Sequence, residues 1–345
     1  MSNSGRPSRK GSSGSNIFDV ALLAGVSAMT VSNVMNGRGR VSSATKARVL
    51  EAVASVGYVA DVAARSLSGA KTRTLGVLAH NLTTQFVGEV LRGAATAANS
   101  SGYQLLIATT PTPELEDLLA SARALRTLFD GLILVHPWLH QVTREDWQAL
   151  DLPMLVVQPQ GLLSLPSISE AGARGAGLAM EHLVGLGHRR IGFVSGDPGL
   201  TADSVLEGYH QGLESAGIEF DPNLVACGGF YQQGGFRAAH MLLDLPGPPS
   251  AIFAANDLSA FGVLDAAQAR NLRVPQDLSV VGYNDIPTAS QVYPPLTTVR
   301  QPIYEMGYQA VELLLQMTRG GAVPPRTILP TELVVRATTA APPTY

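Results

Sequence analysis

Ile17, Val20, Ala21 and Ala24 recur at three- and four-residue spacing, the period of a helix that buries one face. Gly25 follows, where a left-handed residue stops a helix at least cost. Ser27 is placed to cap a second helix with Val31 and Val34 as its apolar positions, and Asn36-Gly37 ends it. Val41-Ser42 precedes a third helix predicted to run to about Val56, with Val49, Leu50 and Val53 facing inward and Gly57 closing it. Two short helices joined by a Gly-containing turn and braced by a third form a helix-turn-helix unit. Such a unit lays its second helix in a DNA major groove, although three short helices are also a common structural motif.

The next segment, Asp61 to Gly69, places Ala63, Ala64 and Leu67 on one helical face. It is marginal as an isolated helix and reads equally as a linker. From Leu75 the pattern changes to short apolar runs alternating with amphipathic helices. The runs are Thr74–Ala79, Gln104–Ala108, Gly131–Val135, Met154–Val157, Arg190–Ser195, Ala251–Ala255 and Leu278–Tyr283. The helices are Val87–Asn99, Leu115–Leu128, Ala176–Leu186, Ser204–Ala216, Gly235–Leu243 and Leu258–Ala269. Strands separated by helices predict doubly wound parallel sheets, and there are enough strands for two of them. A ligand then binds at the carboxyl ends of the strands, between two lobes. The fold class is α/β behind an N-terminal all-α head.

Composition narrows the picture. At 345 residues and 46% hydrophobic, the chain is too long for one ordinary core and too apolar for disorder. No apolar run approaches the ~20 residues that span a bilayer, so no membrane partner is expected. A single cysteine, Cys227, excludes an intramolecular disulfide and a cysteine-rich metal site. Met1–Ser15 is polar and lacks the apolar stretch of a signal peptide, so a cytoplasmic protein with a disordered 1–15 leader is expected. The tail after Arg336, rich in Ala, Thr and Pro, is also expected to be disordered, 340–345 in particular.

Charge divides the chain. Residues 1–73 carry ten Lys/Arg and three acids, a net +7, and the remainder carries −10. A basic head on an acidic body suits a polyanion-binding module, as it also suits a cationic solvated tail.

The head string settles between these readings. Asp19-Val-Ala, Ala24-Gly-Val-Ser, Thr30-Val-Ser, Asn36-Gly, Val41-Ser, Thr45, Val49-Leu and Gly57-Tyr58 closely resembles the head of the LacI/GalR family of transcriptional regulators. The resemblance continues through Glu181-His-Leu, Leu186-Gly-His-Arg-Arg-Ile191, Ala255-Asn-Asp257, Ser279-Val-Val-Gly-Tyr-Asn-Asp285 and Pro295-Leu-Thr-Thr-Val299. It covers about Ile17 to Thr339 and implies a helix-turn-helix domain over 16–60 and a hinge helix and linker over 61–73. It further implies a two-lobed periplasmic-binding-protein-like domain over 74–339. Lobe 1 is expected from 74–170 with 303–329, and lobe 2 from 171–299 with 331–339, the chain crossing three times.

The same resemblance implies the site residues. Ala28, Met29 and Asn33 fall where the family's recognition helix meets base edges, and Ser27, Thr30, Asn36 and Ser42 where it holds phosphates. Short hydroxyls position a backbone while protruding side chains read bases, so these residue types are chemically suited. The family usually has Arg where Asn33 stands. Leu67 falls where the hinge wedges into the minor groove, and Asp61 is expected to cap the hinge helix. The implied partners are a double-stranded, pseudo-palindromic operator, a second copy of the chain and a small-molecule effector.

The implied effector pocket includes Asn81, Phe86, Phe230, Asn256, Asp257 and Asn284. Asn256-Asp257 after a strand equally suits a helix cap, Phe86 and Phe230 suit a core, and Asn284-Asp285 suits a turn. Several positions depart from the family: Val205 replaces an effector-gripping Arg, Asn284 replaces Asp, Ala171-Gly172 replaces Asp-Asn beside Glu170, and Gln158 replaces Asp. These changes remove charge, and His136 and Trp138 stand where they can fill the space. The effector is therefore expected to be sugar-like or a less polar metabolite.

Enzyme motifs are weak. Ser43-Ala-Thr-Lys46 fits a Ser-x-x-Lys pattern but sits in the head without supporting motifs. Gly172, Gly175 and Gly177 reverse the dinucleotide-binding order and read as a helix start. The seven histidines show no metal-ligand spacing, and His182 and His188 read as structural. No catalytic residues, metal or cofactor are expected. The alternative readings, a solute-binding protein or an α/β enzyme with an unrelated head, have only the body in their favour.

Overall fold

The computed structural model describes residues 16–35, 39–57, 71–110, 112, 115–135, 149–159, 165–196 and 204–343. The chain divides into two compact units, Met1–Thr72 and Arg73–Tyr345.

In the first unit, α1 (Ile17–Ala24) opens with a capping box. The Asn16 side-chain oxygen accepts from the Phe18 and Asp19 amides, and Asp19 accepts from the Asn16 amide. Gly25 ends α1 in the left-handed region at φ 62°, and α2 (Ala28–Met35) leaves at 102° to it. Helix α3 (Ser43–Val56) is capped by Ser42 and closed by Gly57. The core of the head is Val20, Ala21, Ala24, Val31, Val34, Val49 and Ala52. One expected core residue is misplaced: Leu50 is 47% exposed, and Ala52 is buried instead. Each helical step turns ~100°, so a residue next to Val49 points well away from the seam while one three on returns to it. Val53 lies partly buried against the core, at its edge.

The second unit is two doubly wound lobes. Lobe 1 has a six-stranded sheet built from β1 (Thr74–Ala79), β2 (Gln104–Thr109), β3 (Gly131–Val135), β4 (Met154–Val157), β5 (Ser167–Glu170) and β11 (Arg326–Leu329). Its order is β11-β5-β4-β3-β1-β2, and all its strands are parallel. Its helices are α4 (Gln85–Ser100), α5 (Leu115–Leu125) and α10 (Ile303–Thr318). The second sheet contains β6 (Ile191–Ser195), β7 (Val225–Cys227), β8 (Ala251–Ala254), β9 (Ser279–Asn284), β10 (Thr297–Arg300) and β12 (Glu332–Val334). Its order is β12-β10-β9-β8-β6-β7, with β12 antiparallel to β10. Lobe 2 carries α6 (Gly172–Gly185), α7 (Ser204–Ser215), α8 (Gln232–Leu243) and α9 (Asp257–Ala269).

The seven expected strands are present within one residue of their predicted ends. The polar or very short strands β5, β7, β10 and β11 carry too few apolar residues to announce themselves. Buried on both faces, β1, β3 and β4 read as continuous apolar runs, as parallel strands should. Helices α4 and α10 meet at backbone contact, because Gly93 faces the Tyr304 carbonyl and Gly307 faces that of Val90. Any Cβ there would collide.

The expected disorder after Arg336 is not what the structure shows. The Val280 amide donates to the Thr338 carbonyl at 2.8 Å, and the Thr297 amide donates to the Thr338 hydroxyl at 2.8 Å. The Ala340 amide donates to Ser279 at 3.0 Å. Thr338 is fully buried, so residues 337–340 lie along lobe 2 as a strap. His188 completes it, with Nε2 donating to the Ala340 carbonyl at 2.9 Å and Nδ1 2.8 Å from the Ser250 hydroxyl. Burial pulls the His188 pKa down, so the ring stays neutral. His182 reaches the strap through Thr339 at 2.9 Å. Both histidines are structural, as the sequence suggests.

Candidate nucleic-acid interface and effector cleft

The amino end of α2 is organised by hydroxyls. Ser27 accepts from the Thr30 amide at 3.1 Å and bonds the Thr30 hydroxyl at 3.0 Å. Ser42 repeats the arrangement on α3 with Thr45, at 3.2 and 2.9 Å. Between these caps the helix presents Met29, 70% exposed, with Ala28 and Asn33 half-buried beside it. Exposed Arg40, Lys46 and Arg48 give the described head surface its positive charge. Asn36, Asp61 and Leu67 lie outside the described residues. Phe18 and Leu22 on α1 are also exposed, a feature that helical periodicity does not single out.

In the body, the carboxyl ends of both sheets meet across a cleft, and three crossings join the lobes: β5 to α6, β10 to α10, and β11 to β12. At the end of β1, Asn81 folds into a turn, its side-chain oxygen accepting from the Thr83 amide and hydroxyl at 2.8 and 2.7 Å. Phe86, in the first turn of α4, is half-buried against the lobe 1 core. On lobe 2, Phe230 sits at φ 64° with its ring laid over Gly196. Any side chain at Gly196 would run into that ring. His136 and Trp138 lie outside the described residues.

Three expected pocket residues have structural occupations. Val205 is buried in the lobe 2 core with Met180 and Tyr209. Asn256 caps α9, accepting from the Ser259 amide at 2.9 Å and donating to the Phe230 carbonyl at 2.9 Å. Asp257 is 0% exposed and accepts from the Thr298 hydroxyl at 2.5 Å and the Ile286 amide at 2.8 Å. Burial pushes its carboxyl up to about 7 against those two donors. Thus Asn256 and Asp257 fix the loops on either side of β8 and β9.

Two of the positions that depart from the family pattern, Gln158 and Asn284, are brought together. Gln158 donates to Glu170 at 3.1 Å, Gln301 donates to Glu170 at 2.7 Å, and Asn284 donates to Gln301 at 2.7 Å. This chain of amides ends on a buried carboxylate, and Gln301 is itself 4% exposed. It links the ends of β4 and β5 in lobe 1 to the end of β9 in lobe 2, through the crossing that Gln301 occupies. Asn284 and Asp285 hold positive φ, 111° and 55°. Asp285 is fixed there by Arg300 at 2.7 Å and Arg336 at 2.6 Å. A second link crosses between the lobes on the surface, where Gln85 donates to the Thr288 hydroxyl and accepts from the Thr288 amide at 3.3 Å. Sequence reasoning missed Gln301 and Gln85. Neither belongs to a motif, and their partners lie 131 and 203 residues away. Among the described residues no cluster of His, Cys, Asp and Glu suits a metal ion, and no single helix is long and apolar enough to cross a membrane.

A helix-turn-helix head joined to a two-lobed body with a central cleft defines a ligand-responsive DNA-binding regulator. Residues 16–61 match the family model described as bacterial regulatory proteins, lacI family, and residues 180–339 match the periplasmic binding protein-like domain. The HTH-type transcriptional repressor CytR of Escherichia coli K12 is 33% identical over 328 residues, 94% of this chain and 96% of CytR. A crystal structure of the Lac repressor dimer bound to operator and the anti-inducer ONPF is 30% identical. It superposes with a TM-score of 0.84 over 95% of this chain and 100% of the repressor chain. A transcriptional regulator CelR–cellobiose complex is also 30% identical, with a TM-score of 0.69 over 94% and 99% of the two chains. The chain belongs to the lacI family of bacterial regulatory proteins and is a DNA-binding transcriptional regulator.

Proposed function

We propose that this regulator represses transcription as a homodimer. Two heads read the half-sites of a pseudo-palindromic operator, and a small molecule in the cleft sets their affinity. The observation that carries the reading is the exposed amino end of α2, where Ser27 and Thr30 orient the helix and Met29 protrudes. Met29 offers an apolar contact such as a thymine methyl prefers, and Asn33 suits adenine. Ser27, Thr30, Asn36 and Ser42 hold phosphates, while Leu67 from each hinge opens the minor groove. The Lac repressor dimer on its operator supports this arrangement. The reading assigns the protein no reaction and places it in the cytoplasm with the DNA.

In the cleft, Asn81, Phe86, Phe230 and Asn284 remain the residues proposed to meet the effector, as does Trp138. Amides and aromatic faces suit an uncharged, hydroxylated or planar molecule. The cellobiose complex of CelR supports a sugar-like occupant. Asn256 and Asp257 act behind them as positioning residues, and Val205 packs in the lobe 2 core.

The experiment is to select an operator from random duplexes with the full chain, then measure its affinity against salt. A log–log slope of about −0.9 per phosphate contact is expected. Met29→Ala and Asn33→Ala should each relax base preference at one position per half-site, at ~1–3 kcal/mol. A flat salt slope, or no enriched sequence, would overturn the reading.

A further inference from the structure

We propose that the underside of lobe 1, away from the cleft, is a second DNA-binding surface that holds the phosphates of duplex flanking the operator. This inference rests on the DNA-binding reading above and adds a contact made by the body rather than by the head.

Lobe 1 is parallel, so every strand begins on one face and every helix returns the chain to that face. Five arginines gather there. Arg73 precedes β1, Arg126 lies in the short 3-10 turn that leads into β3, and Arg326 begins β11. Arg123 stands in the last turn of α5, and Arg319 follows α10. All five are exposed. Arg92 is the sixth described arginine of lobe 1. It lies on α4, paired with Glu89 and stacked over Tyr304 at 4.3 Å.

The acids of lobe 1 stand mostly elsewhere. Glu116 and Asp117 open α5, and Glu305 opens α10, both at the other end of their helices. On the underside only Asp130 and Asp151 are described, and Asp130 is half-buried, accepting from the Arg73 amide at 3.0 Å. Burial raises the pKa of Tyr103, which leads into β2, and Asp130 raises it further while Arg319 and Arg73 lower it. The sheet's spacing of ~4.8 Å spreads its six strand starts over about 24 Å, some seven base pairs of duplex.

Cations near helix carboxyl ends are ordinary complements of the helix dipole. Lobe 2 separates that explanation from the one proposed. It is wound the same way and its matching face also carries arginines, but there three of the four are paired with acids. Arg190 pairs with Asp221 at 3.1 Å, Arg270 with Asp244 at 2.6 Å and Arg273 with Asp277 at 2.7 Å. Arg189 donates to the Ala216 carbonyl at 3.2 Å. Among the described residues, none of the five lobe 1 arginines forms an ion pair. Helix ends are common to both lobes; among the described residues of these two faces, five arginines lack an acid partner on lobe 1 and Arg189 alone does on lobe 2. In a body whose net charge is −10, such a patch selects a polyanion. The chain also enters lobe 1 on this face, at Arg73, from the segment that tethers it to the head. Tethering raises the effective concentration of flanking duplex, so weak contacts suffice.

The test uses the full chain and its selected operator on two duplexes, one trimmed to the operator and one extended by 15 or so base pairs on each side. The wild type should bind the longer duplex more tightly and with a steeper salt slope. Arg123→Gln/Arg126→Gln/Arg319→Gln/Arg326→Gln should keep the affinity for the short duplex and lose the gain. Two lost contacts per subunit lower the slope by about 3.6. The matching lysine variants should restore the gain, and Arg189→Gln/Arg273→Gln on lobe 2 should leave it unchanged. Should the fourfold variant fold poorly, as judged by its melting midpoint, Arg123→Gln/Arg126→Gln should show about half the effect. Equal slopes for wild type on both duplexes would overturn the proposal while the operator reading stands. Binding of neither duplex would overturn both.

Discussion

The two lobes are wound alike, yet they spend their charged and polar groups differently. In lobe 2 the charges face one another and the chain. Asp285 is clasped by two arginines, Asp257 ties β9 to β10, and the strap over residues 337–340 is held through His188. In lobe 1 the five arginines of the underside are exposed and, among the described residues, form no ion pair. Two copies of one architecture can therefore differ in how they use charge, one pairing its arginines with acids and the other leaving them exposed. A fold's topology says where a surface lies, and side-chain pairing says whether it is available.

Four substitutions test that division. The largest effect is expected at Asp285→Ala, which leaves Arg336 partly buried without its carboxylate and should cost about 3 kcal/mol in denaturant unfolding. A cost under ~1 kcal/mol would remove the claim that lobe 2 uses its ion pairs for shape. Next is Gln301→Leu, which strips a donor from the buried Glu170 and should cost about 2 kcal/mol. It should also change effector affinity, because it cuts the amide chain between the lobes.

His188→Ala should release the strap at a cost of about 1–2 kcal/mol, with the amides of Val280 and Ala340 exchanging faster while lobe 1 amides are unchanged. The same residue sets a pH dependence. Its folded pKa is depressed below 6.5, so the unfolded chain binds the proton more readily. Its stabilisation is present above pH 6.5 and lost as pH falls through the depressed value. Asp257 runs the other way: raised to about 7, it favours the fold at low pH and loses that contribution as pH rises through 7. Comparing melting curves of His188→Ala and wild type from pH 5 to 8 isolates the histidine, and identical acid limbs would deny it the role. The smallest effect is expected at Arg126→Gln, within about 0.5 kcal/mol of wild type in stability, as suits a surface charge with no structural duty.

The sequence was legible where one residue's neighbours decide its conformation. Ser42 and Gly57 bracket α3 as expected, and the unbroken apolar runs at β1, β3 and β4 mark buried parallel strands. It was less legible where a distant partner decides. Leu50 and Ala52 differ in burial only because of how α1 and α2 pack on α3. The tail looks like a loop in composition, yet Thr338 supplies hydroxyl and carbonyl to Val280 and Thr297. In the cleft, Asn284 and Gln158 stood out as departures, but only the fold joins them to Glu170 through Gln301.

The crossing of the chain back into lobe 1 also orders events in time. Lobe 1 begins at β1 but lacks α10 and β11 until residues 303–329 have been made. Residue 303 is synthesised 133 residues after β5 ends, roughly 7–27 s later at ~5–20 residues per second. Throughout that interval the apolar face of α4 that Gly93 opens for its partner helix is bare. The head, finished with α3 at Val56, has no such wait. On the ribosome this protein completes its DNA reader first, while lobe 1 waits for helix α10 and strand β11, and nascent lobe 1 is the part for which a chaperone would compete.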